Sequence, residues 1–140
     1  MLSGRRHEIR KIMERRSFTR SLVSDSPQLA SELMLVTADD EKLRIVGSLW
    51  DVSESGASFV STWRKALLDL SPGQPLQLIV RWADLNLCLD AELRHARPVA
   101  GHAIVLGMRL RRTPASAGSL EQWPTLLWEL RSHATLRNAS

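Results

Sequence analysis

The sequence predicts a mainly β fold: a small antiparallel six-stranded β-barrel with an N-terminal basic helix and loop and a C-terminal helix. Three observations support this prediction. Short segments between residues 29 and 111 alternate apolar and polar side chains, polar turns separate these segments, and residues 119–136 change to helical periodicity. With 140 residues, of which 44% are hydrophobic and 24% charged, the chain suffices for one ordinary domain with a real core.

The N-terminal elements are a helix and a loop. Residues 3–16 place Ile9, Ile12 and Met13 at helical spacing, which predicts a short amphipathic helix. Residues 16–26 lose this period and are rich in serine, so we expect a loop that Pro27 closes.

Alternating segments then predict the strands of the barrel. They cover residues 29–37, 43–51, 57–62, 76–82, 85–94 and 104–110. Ala83 and Asp84 predict a tight hairpin between the fourth and fifth strands, and residues 63–70 predict a short helical turn.

The final helix is expected over residues 119–136. Ser119 is the expected cap, and Pro124 is expected to open the regular part of the helix. One apolar stripe follows from the spacing of Leu120, Trp123, Leu127, Leu130 and Ala134. The predicted organisation is therefore a helical arm over 1–14, a barrel with its loop over 15–118, and a helix with a tail over 119–140.

Composition excludes several classes of protein. The single cysteine, Cys88, rules out an internal disulfide framework and a cysteine-based zinc site. No apolar run reaches the length of a membrane span, and no apolar core typical of a secretory signal follows the basic N-terminus. The histidines are scattered, and neither a nucleophile elbow nor a phosphate loop occurs. We therefore expect a cytoplasmic protein that is not an enzyme and uses no metal or cofactor.

The positive charge of the chain is concentrated near its start. Residues 1–20 contain seven arginine and lysine side chains and two glutamates, whereas the rest of the chain carries twelve positive and thirteen negative side chains. An anion-binding site is therefore expected around Arg15, Arg16 and Arg20. Arginine suits such a site because its planar guanidinium forms paired hydrogen bonds with phosphates and base edges. Charge alone also fits an ordinary solvated basic surface.

A second motif lies where two predicted strands meet. Asp51 offers a carboxylate and Ser53 a hydroxyl, and Gly56 would allow the backbone to turn with a positive φ. These residue types are also common in plain hairpin turns, which is the simpler interpretation of the same residues. The functional interpretation is that they hold a ligand at the barrel surface.

Together, the two motifs resemble the signature of the PilZ domain, the bacterial receptor module for cyclic diguanylate (c-di-GMP). That signature pairs Arg-x-x-x-Arg in an N-terminal loop with Asp/Asn-x-Ser-x-x-Gly at a strand edge. This chain has Arg16-x-x-x-Arg20 and, some thirty residues later, Asp51-x-Ser53-x-x-Gly56. The resemblance covers roughly residues 14–136.

The resemblance implies a c-di-GMP site formed by the residues of both motifs: Arg15, Arg16, Arg20, Asp51, Ser53 and Gly56. Arginine can stack on a guanine, bond to its O6 and N7 atoms, or pair with a phosphate. Asp51 can bind the guanine edge or hold an arginine in place, and the sequence leaves both roles open. Arg15 occupies the position where similar domains carry an extra arginine and often bind two intercalated ligand molecules.

Three functions fit these residues. The first is a c-di-GMP receptor in which the ligand closes an otherwise mobile arginine loop onto the barrel, and an unidentified effector protein in motility or exopolysaccharide regulation reads the change. The second is a pilus or motility factor of the same fold that binds no ligand, although such proteins typically lack the arginines. The third is a nucleic-acid-binding barrel, which is disfavoured because the chain has no tyrosine and only two phenylalanines for stacking on bases.

Overall fold

The computed structural model describes residues 21–23, 29–99, 101–132 and 136–138. These residues form nine strands and two helices: β1 (Ser21–Val23), β2 (Leu29–Val36), β3 (Lys42–Ile45), β4 (Gly47–Val52), β5 (Gly56–Thr62), α1 (Lys65–Leu68), β6 (Pro75–Trp82), β7 (Leu85–Val99), β8 (Ala103–Leu110), α2 (Ala117–Ser132) and β9 (Leu136–Asn138). The helix predicted over residues 3–16 lies outside the described residues.

The described strands form one antiparallel sheet in the order β3-β2-β6-β7-β8-β5-β4-β1-β9. The prediction of a mainly β, antiparallel fold with a C-terminal helix is therefore confirmed. Only Val46 separates β3 from β4 along the chain, yet β3 lies at one end of the sheet and β4 near the other. Since one residue spans less than 4 Å, the sheet must curl until these two regions meet.

The seam between the two regions is joined by side chains. The Leu49 N–H of β4 donates a hydrogen bond to Ser31 Oγ of β2, at 3.1 Å. Ser61 Oγ of β5 donates to the Val46 carbonyl, at 2.6 Å. The prediction of a closed six-stranded barrel therefore needs correction, because the backbone ladder of the described strands is open and the curled sheet has more strands.

Three predicted elements differ from the structure for local reasons. The strand predicted over 43–51 divides at Val46, where the chain leaves β2 and joins β5. The loop predicted over 16–26 contains β1, because residues 21–23 pair with β9 and the first two of them also pair with β4. The helix predicted over 119–136 begins at Ala117, contains Pro124 and ends at Ser132. Ser119 does not open this helix, and its Oγ accepts a hydrogen bond from the Cys88 N–H at 2.9 Å.

The core fills the concave side of the curled sheet. Leu33, Leu78, Leu89 and Leu106 are fully buried there and come from four different strands. Helix α2 packs on the same core through its buried face, which consists of Trp123, Leu126, Leu127 and Leu130. The predicted stripe is thus largely confirmed, while Ala134 lies outside the described residues. The helix is fixed against the sheet, and this position brings it close to the second motif.

Candidate functional site

A β-bulge in β4 determines where Asp51 lies. The pairing of β4 with β5 shifts between Leu49 and Asp51, so Trp50 is an extra residue in β4. Leu49 and Val52 both belong to the core, although regular alternation would place residues three apart on opposite faces. The bulge therefore places Trp50 and Asp51 together on the outer face of the sheet.

Asp51 begins a row of four residues across that outer face. It pairs with Ser58, Ser58 pairs with Gly107, and Gly107 pairs with His95. A Cβ atom at Gly107 would overlap the imidazole of His95, so this ring occupies the space above the glycine. The side chains of Asp51 and Ser58 are fully buried although they face away from the core. A carboxylate in such a place is costly unless cationic or N–H donors surround it.

The turn over residues 53–56 is held by donors from three parts of the fold. The Ser53 N–H donates to the Gly56 carbonyl at 2.9 Å, and the Leu110 N–H of β8 donates to the Ser55 carbonyl at 2.9 Å. The indole Nε1–H of Trp123 in α2 donates to the Ser53 carbonyl at 2.8 Å. The turn is therefore fixed to a strand and to the C-terminal helix, as well as to itself.

Gly56 is required for a reason other than the predicted one. Its φ is not positive, and the described glycines with positive φ are Gly73 and Gly101. A Cβ atom at Gly56 would overlap the carbonyl oxygen of Met108 on β8. The glycine is needed because the two backbones approach closely at this point, so the prediction of a positive φ was wrong.

Strand β1 connects the first motif with the second. Ser21 pairs with Val52, and Leu22 pairs with Asp51. Ser21 directly follows Arg20 in the sequence, so the covalent chain leads from the arginine motif to the outer edge of β4. The arginines of the first motif lie outside the described residues: Arg15, Arg16 and Arg20.

Sequence reasoning missed two features of this site. The bulge at Trp50 breaks the alternation on which strand prediction relies. The hydrogen bond from Trp123 joins residues 70 positions apart, and the helical spacing of Trp123 indicated only a core position. The available signal for the bulge was the spacing of two apolar residues, Leu49 and Val52, which lie three positions apart in one strand.

The remaining candidates in the described part of the chain are one thiol and the groups that could ligate a metal. Cys88 is an exposed free cysteine on β7. Within the described ranges, no three histidine, cysteine, aspartate or glutamate side chains cluster as a metal site would require. Neither described helix is long and apolar enough to cross a membrane.

Similar solved structures share this fold. YcgR from Escherichia coli in complex with c-di-GMP has a TM-score of 0.58 and 20% identity, with 86% of this chain and 47% of YcgR covered. The isolated PilZ domain of YcgR with c-di-GMP has a TM-score of 0.57 and 21% identity, with 86% of this chain and 94% of that domain covered. The MrkH–c-di-GMP complex of K. pneumoniae has a TM-score of 0.59 and 11% identity, with 82% of this chain and 52% of MrkH covered.

These likenesses identify a PilZ-like fold. The chain spans about half the length of YcgR and of MrkH, and nearly the whole isolated PilZ domain. No protein-family profile matches the sequence, and no curated protein matches it.

The close approach at Gly56 generates a test of the turn. Gly56→Ala should lower the free energy of unfolding by about 1–3 kcal/mol, because the added methyl group forces β5 away from Met108. The measurement is urea denaturation followed by tryptophan fluorescence. Gly118→Ala is the matched control, since a Cβ atom there meets no atom within 4 Å and alanine favours the helix. Equal stability of the two variants would contradict the role given to Gly56.

Proposed function

We propose that this chain is a cytoplasmic, non-enzymatic receptor for c-di-GMP that changes conformation on binding and signals to a partner protein. The main support is the register of β1, which pairs with β4 at Asp51 directly after the arginine motif. The chain therefore runs from Arg20, at the end of the arginine motif, directly into a strand that lies beside Asp51. The likeness to YcgR and MrkH, both solved with c-di-GMP, supports the same ligand.

In this proposal the arginines bind the ligand and the second motif supports them. Arg16 and Arg20 neutralise the two phosphates or bind the guanine edges. Asp51 has no exposed surface, so of its two possible roles the holding of an arginine is favoured over direct contact with a guanine. Ser53 and Gly56 shape the turn against which the ligand lies.

The proposed conformational change has an electrostatic cause. Three guanidinium groups within six residues repel one another when brought together, and a dianionic ligand offsets that repulsion. Strand β1 gives the arginine motif a fixed neighbour, because Ser21 and Leu22 pair with strands on both sides. Binding of c-di-GMP then closes residues 15–20 against the outer face beside Asp51.

The binding site is tested by calorimetric titration with c-di-GMP. Arg16→Ala and Arg20→Ala should each weaken binding about 30- to 150-fold, equivalent to roughly 2–3 kcal/mol, because each removes a charge-assisted contact. Arg81→Ala is the control, since its side chain is half exposed on β6. A linear guanine dinucleotide tests the selectivity for the cyclic ligand. Wild-type affinity in either arginine variant would contradict the assignment.

The stoichiometry tests the role of Arg15. We propose that wild-type protein binds two c-di-GMP molecules per chain and that Arg15→Leu binds one, because the extra arginine contacts the second, intercalated ligand. The same titration measures both plateaus. A wild-type plateau at one ligand would remove this role from Arg15.

Amide hydrogen exchange tests the conformational change. Saturating c-di-GMP should slow exchange over residues 15–20, while the central β6–β7 ladder serves as the internal reference because its pairing is independent of the site. Exchange rates over residues 15–20 that do not change with ligand would mean that binding occurs in a preformed pocket.

A further inference from the structure

We propose that Trp123 is a positioning residue of the c-di-GMP site and that its indole hydrogen bond responds to ligand occupancy. This inference rests on the proposed function, because it names a residue outside both motifs that supports the same site. It starts from one contact, the hydrogen bond from the Trp123 indole to the Ser53 carbonyl.

The contact is enclosed and directional. Trp123 is 1% exposed, and its Nε1–H lies 2.8 Å from the carbonyl oxygen of Ser53, which is itself buried. Breaking this bond would destabilise the fold, because it would leave a buried indole N–H and a buried carbonyl with no water to replace the partner. The peptide unit after Ser53, in the centre of the second motif, is therefore held in one orientation by the helix.

The helix segment before Trp123 is anchored independently of the site. Ser119 Oγ accepts a hydrogen bond from the Cys88 N–H of β7 at 2.9 Å. Just before the helix, Thr113 Oγ1 donates to Asp90 Oδ2 of β7 at 2.6 Å and contacts Ser116 Oγ at 2.8 Å. These contacts fix the start of α2 on the sheet, so Trp123 approaches the turn from a rigid base.

The chain after α2 returns to the other half of the site. Strand β9 pairs with β1, with Leu22 opposite Arg137, and Leu22 is also opposite Asp51 of β4. The unit formed by α2 and β9 therefore touches the turn through Trp123 and borders the strand that follows Arg20. A ligand that contacts both the turn and the chain before β1 must therefore lie beside two points of this unit.

Reciprocity follows from this geometry. If the Trp123 bond favours the binding orientation of the turn, then the ligand must stabilise the bond by the same free energy. The indole N–H of Trp123 is thus a reporter of occupancy that lies inside the core, where a ligand on the outer face cannot touch it.

Nuclear magnetic resonance of the wild-type protein with 15N-labelled indoles gives the direct test. Addition of c-di-GMP should shift the Trp123 Nε1–H signal and slow its hydrogen exchange, while the signal of Trp128 should not move. Trp128 is the internal control because it lies on the same helix with 65% of its surface exposed. The spectra of Trp123→Phe and Trp128→Phe assign the two signals.

The affinity of the variants gives the second measurement. Trp123→Phe keeps an aromatic ring in the core and removes the donor, so it should weaken c-di-GMP binding about 2- to 12-fold, the net value of one hydrogen bond. Trp128→Phe should bind like the wild type. If Trp123→Phe does not fold, triple-resonance spectra of the wild type assign the Trp123 indole signal, and its response to c-di-GMP decides.

The outcomes separate this inference from the proposed function. Wild-type protein that does not bind c-di-GMP would overturn the proposed function itself. Binding by the wild type with an unchanged Trp123 indole signal would overturn the inference alone. An unchanged affinity in folded Trp123→Phe would overturn it as well, and a shifted signal with weakened binding supports it.

Discussion

The one-residue connection at Val46 is the constraint on which the rest of the fold depends. It joins strands from distant positions in the sheet order, so a flat sheet is impossible and the concave side becomes the core. Ser31 and Ser61 satisfy backbone groups at the seam where no ladder forms. The apolar side chains of the main core fill the inside, and the second motif lies on the outer face beside β1.

The second motif combines a rigid turn with a carboxylate, that of Asp51, which is costly to bury. The bulge at Trp50 turns Asp51 outward, yet the carboxylate is fully buried. Burying a charge in this way is unfavourable unless strong donors compensate it. The turn beside it is fixed through Trp123 and Leu110, so its backbone is ordered before any ligand arrives. Preorganisation of this kind lowers the entropy cost of binding.

The sequence predicts the regular part of this molecule well and the irregular part poorly. Strand β6 and the hairpin at Ala83 follow from alternation and turn chemistry, and the structure confirms them. Strand β7 continues to Val99, beyond its predicted end, because a register shift between Leu93 and His95 interrupts the alternation. Strand β1 was missed because three residues cannot establish a period, and it becomes a strand only through its two neighbours. The prediction of a positive φ at Gly56 was wrong, because the close approach of Met108 comes from another strand and local sequence does not reveal it.

The pairing of β1 with β9 also affects the order in which the strands of the sheet can assemble during translation. Strand β9 leaves the ribosome after every other described strand, and a chain generally folds its earlier parts first. The sheet from β2 to β8 contains its own core and can form while β9 is still being translated. Strand β1 acquires its second neighbour only afterwards. The sheet from β2 to β8 can therefore fold before the outer neighbour of β1 has been translated.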